Sequence, residues 1–166
     1  MQNDNLKSYL HLHVIVFIWG FTAILGKLIS LEALDLVWYR MLFASVIMTF
    51  VVLFNKEKIK VPFNVLIGFI VSGIIIAAHW LTFYQAIKVS NVSITLACLS
   101  TGAFFASILE PIFYMLRVIW YELLFGIIVV VGLGIIFNVE TKFKTGIYHA
   151  VTSAFLSALF SVINGK

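Results

Sequence analysis

Six runs of about 20 apolar residues, each bounded by charged or turn-forming residues, take up most of this chain, and a run of that length is what a helix needs to cross about 30 Å of hydrocarbon. They lie near residues 11 to 30, 33 to 54, 64 to 87, 92 to 115, 119 to 138 and 146 to 164. Of the 166 residues, 63% are hydrophobic and 11% charged, against about 45–50% apolar and about 25% charged in soluble domains. A soluble globule of this length leaves roughly 30% of its surface wet and cannot hide so much apolar area. Lipid is therefore the expected solvent and the bilayer the first partner. The predicted fold class is an all-α polytopic membrane protein with about six transmembrane helices.

The first run exceeds the apolar part of a cleaved secretion signal, and no small-residue cleavage site precedes the next charges, so it reads as a retained helix. Connections are short apart from residues 55 to 62, which leaves no room for a separate soluble domain. With the N-terminus in the cytoplasm, Lys7, Lys56, Lys58, Lys60, Arg117 and Lys166 fall inside. Lys27, Lys88, Lys142 and Lys144 fall outside. That bias favours a cytoplasmic N-terminus by the positive-inside rule. The formal charge of +4 is spread thinly, unlike the clustered basic face that nucleic acid requires. The single cysteine, Cys98, lies in an apolar run and reads as a small core residue; it excludes an internal disulfide.

Helices in lipid gain little hydrophobic drive from touching, so small residues mark where backbones approach. The sixth run repeats Ala150, Ala154 and Ala158 beside Ser153, Ser157 and Ser161. Gly126, Gly132 and Gly134 mark the fifth, and Gly73 with Ala77 the third. These tracks predict a close-packed bundle.

Polar groups at membrane depth cost several kcal/mol unless they face protein or water. Arg40 lies about two turns into the second run, where it either snorkels to the outer interface or faces a cavity. Glu110, ahead of a helix-bending Pro111, shares a face with Ala103 and Ser107, with Ser100 a further turn along. It binds a cation or proton, or else pairs with Arg117 near the interface. In the third run His79 and Trp80 sit deep, with Tyr84 one turn past Trp80 and Gln85 close by. Imidazole, indole and phenol suit a pathway for semi-polar solutes, though a membrane histidine also serves simply as an interhelical hydrogen bonder. Trp19, at mid-depth rather than in the interfacial belt, points to a cavity, and Lys27 beyond it reaches the outer end.

Catalytic signatures are lacking: there is no HExxH, no GxSxG elbow and no phosphate-cradling glycine loop. His11 and His13, two apart, point about 160° away from each other on a helix and make poor joint metal ligands. An enzyme is not expected, and no cofactor or metal is implied.

The order of these features resembles the EamA-like members of the drug/metabolite transporter superfamily. The resemblance runs through Trp19-Gly20 with Lys27, Trp38-Tyr39-Arg40-Met41 opening the second span, and Asn91-Val92-Ser93 leading into the fourth. It continues through the glycines from Gly126 to Gly134, and Gly146 with Ser153-Ala154 in the sixth. Two departures stand out: the Leu-Gly-Glu-Arg usual between the fourth and fifth spans reads Met115-Leu116-Arg117, and the mid-span proline of the fourth helix is replaced by Ala103, with Pro111 coming later.

The resemblance implies ten helices built as two inverted five-helix repeats around a central cavity reached by alternating access. On that pattern residues 1–145 form a first repeat and residues 146–166 the first helix of a truncated second one. The Gly26-Lys27 ending the first span is echoed by Gly165-Lys166 ending the sixth. The expected function is secondary transport of a small metabolite or drug-like solute, outward, across a bacterial inner membrane, in an incomplete N-terminal portion of a transporter. Partners would be the solute and either a second repeat or another copy of the chain. The pathway candidates are Trp19, Arg40, His79, Trp80, Tyr84, Ser100 and Glu110. The rival reading is a non-transporting accessory or assembly subunit whose helices only pack against a partner, which has no need of polar aromatics and charges at mid-membrane.

Overall fold

Without water to bond them, backbone N–H and C=O groups in lipid must be satisfied within each segment, and the apolar runs become helices for that reason. The computed structural model describes residues 2–56, 61–139 and 141–165. Its helices are α1 (Gln2–Leu28), α2 (Ala33–Phe54), α3 (Phe63–Val89), α4 (Val92–Leu99), α5 (Gly102–Tyr114), α6 (Trp120–Val139) and α7 (Lys144–Asn164), with a 3-10 turn at Thr141–Phe143 before α7. Lys58, Lys60 and Lys166, used above for orientation, lie outside the described residues.

Five stretches are long and apolar enough to span a bilayer: Leu6–Leu28, Ala33–Phe54, Phe63–Val89, Val92–Tyr114 and Lys144–Asn164. A shorter apolar stretch covers Trp120–Ile135 of α6. The fourth span is two helices, broken at Ser100 and Thr101 rather than at Pro111, which sits inside α5. Hydroxyls bond carbonyls at the break, where Cys98 O also accepts Thr101 N–H at 3.1 Å. Ser100 Oγ donates to Ala97 O at 2.6 Å and Thr101 Oγ1 to Cys98 O at 2.7 Å. The span begins at Asn91, whose extended backbone and Oδ1, accepting from Ile94 N at 2.9 Å, cap α4. It ends at Met115, in the left-handed conformation, whose N–H returns to Pro111 O.

α3 is the central helix: α1 and α2 pack on one side of it and α7 on another. α7 in turn seats on α4 and α5, and α6 leans on α5. The α7 face of Gly146, Ala150, Ser153, Ala154, Ala158 and Val162 is buried. Ser157 is half-buried and Ser161 exposed, so the small stripe is narrower than its sequence suggests. Tyr114 Oη closes the α5–α7 contact on Val162 O at 2.8 Å. Two buried clusters result. Ala23, Ala33, Leu36, Val37, Phe83 and Ile87 join α1, α2 and α3, while Ala86, Ile94, Cys98, Ile147 and Ala150 join α3, α4 and α7. Cys98 is a buried free thiol within the second.

Candidate functional site

Lys27 and Lys88 tie the ends of α1 and α3 together. Lys27 Nζ donates to Ile87 O at 3.2 Å, and Lys88 Nζ donates to Ile29 O. Ile87 belongs to the last turn of α3, where helical carbonyls lack intrahelical partners, so both lysines serve backbone rather than reaching freely for water. This cross-tie holds the α1–α2 connection over the end of α3. Beneath it lies a cavity of about 320 Å³ lined by Thr22, Leu25, Gly26, Leu36, Tyr39, Arg40, Phe43 and Tyr84, with Ile29 and Leu31 from the connection.

The sequence leaves Arg40 a choice between the interface and the bundle; the geometry turns it inward. Its guanidinium carbon stands 3.8 Å from the centroid of the Trp80 ring. One terminal N–H donates to Tyr84 Oη at 2.7 Å. Trp80 and Tyr84, four residues apart on α3, stack with centroids 5.7 Å apart and an interplanar angle of 25°. The cation thus lies over the Trp80 ring and donates to the phenol stacked beside it. A desolvated cation–π contact is worth about 2 kcal/mol, enough to hold a long side chain against its rotamer entropy but less than a charge at depth demands. Among the described residues no carboxylate pairs with it.

Tyr84 is only 3% exposed, and its ring presses on α1 where Gly26 stands. A Cβ at position 26 would overlap the Cδ1 and Cε1 edge of that ring, so this approach requires glycine. His79, one residue before Trp80, faces α7 instead. Its Nδ1 lies 2.9 Å from both Ser153 O and Ser153 Oγ, while Ser153 Oγ donates to His79 O at 3.2 Å. A carbonyl can only accept, so Nδ1 carries the proton toward Ser153 O. His79 also meets Trp80 edge to face at 5.0 Å, linking the α7 contact to the ring that Arg40 lies over.

The remaining candidates lie elsewhere. Trp19 is 70% exposed on α1 and does not line the cavity. Ser100 is exposed at the α4–α5 break, its hydroxyl spent on Ala97 O. Glu110 is exposed on α5 and, among the described residues, pairs with neither Arg117 nor any other cation. A second hollow of about 400 Å³ lies near Pro111, but its lining is apolar apart from Ser107, whose hydroxyl already serves Phe104 O. Four residues that the sequence did not place among the pathway candidates help to form the site: Gly26, Thr22, Tyr39 and Phe43. Their signal was spacing, since Thr22 with Gly26 and Tyr39 with Phe43 are i,i+4 pairs on the faces that carry Arg40 and its surroundings.

No cluster of metal-ligating side chains exists among the described residues. Chemically, the site offers a stacked cation, a phenol and apolar walls; it holds no nucleophile–base pair. No curated protein and no solved structure matches this chain. Residues 6–138 match the EamA-like transporter family, spanning α1 through most of α6, and the chain belongs to that family.

Proposed function

We propose that this multi-pass membrane protein is a secondary carrier whose solute passes the cavity between α1, α2 and α3, with Arg40 and Tyr84 as its polar lining and Trp80 and His79 behind them. The observation that carries this reading is a half-buried guanidinium, paired with no carboxylate among the described residues and set over Trp80 beside a cavity, in a chain of a transporter family. A protein that only packs against a partner gains nothing from a charge placed so expensively. Outward movement across a bacterial inner membrane rests on the family resemblance, and so does energy from an ion gradient rather than ATP. So does the assignment of α7 to a second repeat, whether in this chain or supplied by pairing. The seating of its small-residue face on α3, α4 and α5 suits that role. A cytoplasmic N-terminus follows from the lysine bias and places the cavity at the outer end of the bundle.

Water access tests the reading directly. In a Cys98→Ser background reconstituted in liposomes, Thr22→Cys, Tyr39→Cys and Phe43→Cys should react with a membrane-impermeant thiol reagent. Phe17→Cys and Ile74→Cys, on exposed lipid-side positions, should not. Equal silence at all five positions would remove the pathway and favour an accessory protein.

A further inference from the structure

We propose, resting on the carrier reading, that the cavity between α1, α2 and α3 recognises a single oxyanion group, carboxylate or phosphate, carried on a largely apolar body, with Arg40 and Tyr84 as its two donors. Arg40 has five N–H donors, of which one is engaged, by Tyr84 Oη. Trp80 lies against its guanidinium carbon at 3.8 Å and takes no hydrogen bond from it, so a fork of N–H donors is left for a ligand. Such a fork matches an oxyanion's paired lone pairs.

Tyr84 Oη already accepts from the cation, so its own proton is the one to give away. A hydroxyl polarised in this manner is a stronger donor. Thr22 adds a hydroxyl at the same cavity without a partner among the described residues. Glu32 and Asp35, the acids nearest in sequence, are exposed at the start of α2 and do not line the cavity, so the net local charge is positive. Leu25, Leu36 and Phe43 supply the apolar wall for the remainder of the ligand. The volume of about 320 Å³ admits a small solute. A lipid headgroup brings the same oxyanion chemistry, so the experiment must separate the two sources.

The test uses the full chain in phosphatidylcholine nanodiscs and three matched probes: 4-phenylbutyrate, its neutral amide, and 4-phenylbutylamine. Binding of each is measured by equilibrium dialysis. The carboxylate should bind about tenfold tighter than the amide, equivalent to about 1.4 kcal/mol, and the amine weakest. Arg40→Gln should erase the preference, Arg40→Lys should retain part of it, and Tyr84→Phe should weaken the carboxylate about threefold without affecting the amide. Should Arg40→Gln fail to fold, the probe series on the parent chain decides together with Tyr84→Phe. A preference for the amine, equal binding of carboxylate and amide, no binding of the carboxylate, or a preference that survives Arg40→Gln overturns the proposal. With phosphatidylglycerol added to the nanodiscs, loss of probe binding assigns the oxyanion to a lipid headgroup, and unchanged binding assigns it to a free solute; either supports the site. Flux of the same probes into proteoliposomes separates the two readings. Carboxylate-selective binding without flux keeps this site and removes the carrier, whereas flux with no charge preference keeps the carrier and removes this site.

Discussion

His79 and Trp80 are neighbours on α3 yet serve different partners, and that division shows what single residues can and cannot reveal. An i,i+1 step turns a side chain by about 100°, so Trp80 meets Arg40 while His79 meets Ser153. The reciprocal pair, Nδ1–H to Ser153 O and Ser153 Oγ–H to His79 O, joins α3 to α7 where both side chains are buried. Membrane hydrogen bonds of this kind average about 0.6 kcal/mol, with a maximum of about 1.7. In denaturant unfolding from mixed micelles, His79→Phe and Ser153→Ala should each cost about 0.6–1.7 kcal/mol, and the losses should nearly add, because each side chain bonds the other residue's backbone. A variant that melts like the parent would mean that the bond it removes contributes no stability. The Trp80 and Tyr84 pairing was legible because four-residue spacing alone places them together. Arg40's inward turn, the exposure of Trp19 and the isolation of Glu110 were not. In a soluble helix the polar face would reveal which way each residue points, but here both the lipid side and the packed side are apolar.

At the scale of the helices, glycine has two meanings that the sequence writes alike. α6 carries Gly126, Gly132 and Gly134 on one run, yet a Cβ at position 126 would stand 2.9 Å from Phe104 Cα, while at 132 and 134 nothing lies within 4 Å. Gly126 is thus the point where α6 reaches the backbone of α5; the other two are open. Gly126→Ala should destabilise the α5–α6 contact by about 1–3 kcal/mol through overpacking. Gly132→Ala and Gly134→Ala should be neutral or stabilise by up to about 1 kcal/mol, because alanine favours helix. Thermal unfolding of the three variants checks this, and equal behaviour would refute the assignment. The break at Ser100 and Thr101 follows the same lesson. Pro111 is the louder signal for an interruption, but it falls inside α5, where the missing N–H is tolerated. The actual break uses two hydroxyls that bond carbonyls beside it, a device that reads in sequence as ordinary polar decoration.

For the whole molecule, six apolar runs and their order were legible because length and hydropathy decide them, and the family was legible through the resemblance of motifs such as Trp38-Tyr39-Arg40-Met41 and Asn91-Val92-Ser93; the helix neighbours were not, because any small-residue face can seat on any other. The structure answers with α3 and α7 as a central pair: α1 and α2 depend on α3, and α4 and α5 meet α7. Since lipid tails are as apolar as leucine, this pair is held by close approach and hydrogen bonds rather than by apolar burial. Its tolerance of volume should therefore be low. Ala154 is fully buried in the α7 face, with its carbonyl 3.7 Å from where a Cβ on Gly102 would lie. Thr152, two residues earlier, is exposed, with its hydroxyl returned to its own helix at Tyr148 O. Ala154→Leu should cost about 1–3 kcal/mol or more and broaden the size-exclusion elution relative to the parent chain, since four helices meet at that face. Thr152→Leu, adding comparable apolar volume toward lipid, should leave elution and melting unchanged. If the two variants behave alike, α7 is not the seat of the bundle, and the division into an α1–α2 flank and an α4–α7 flank around α3 would have to be redrawn.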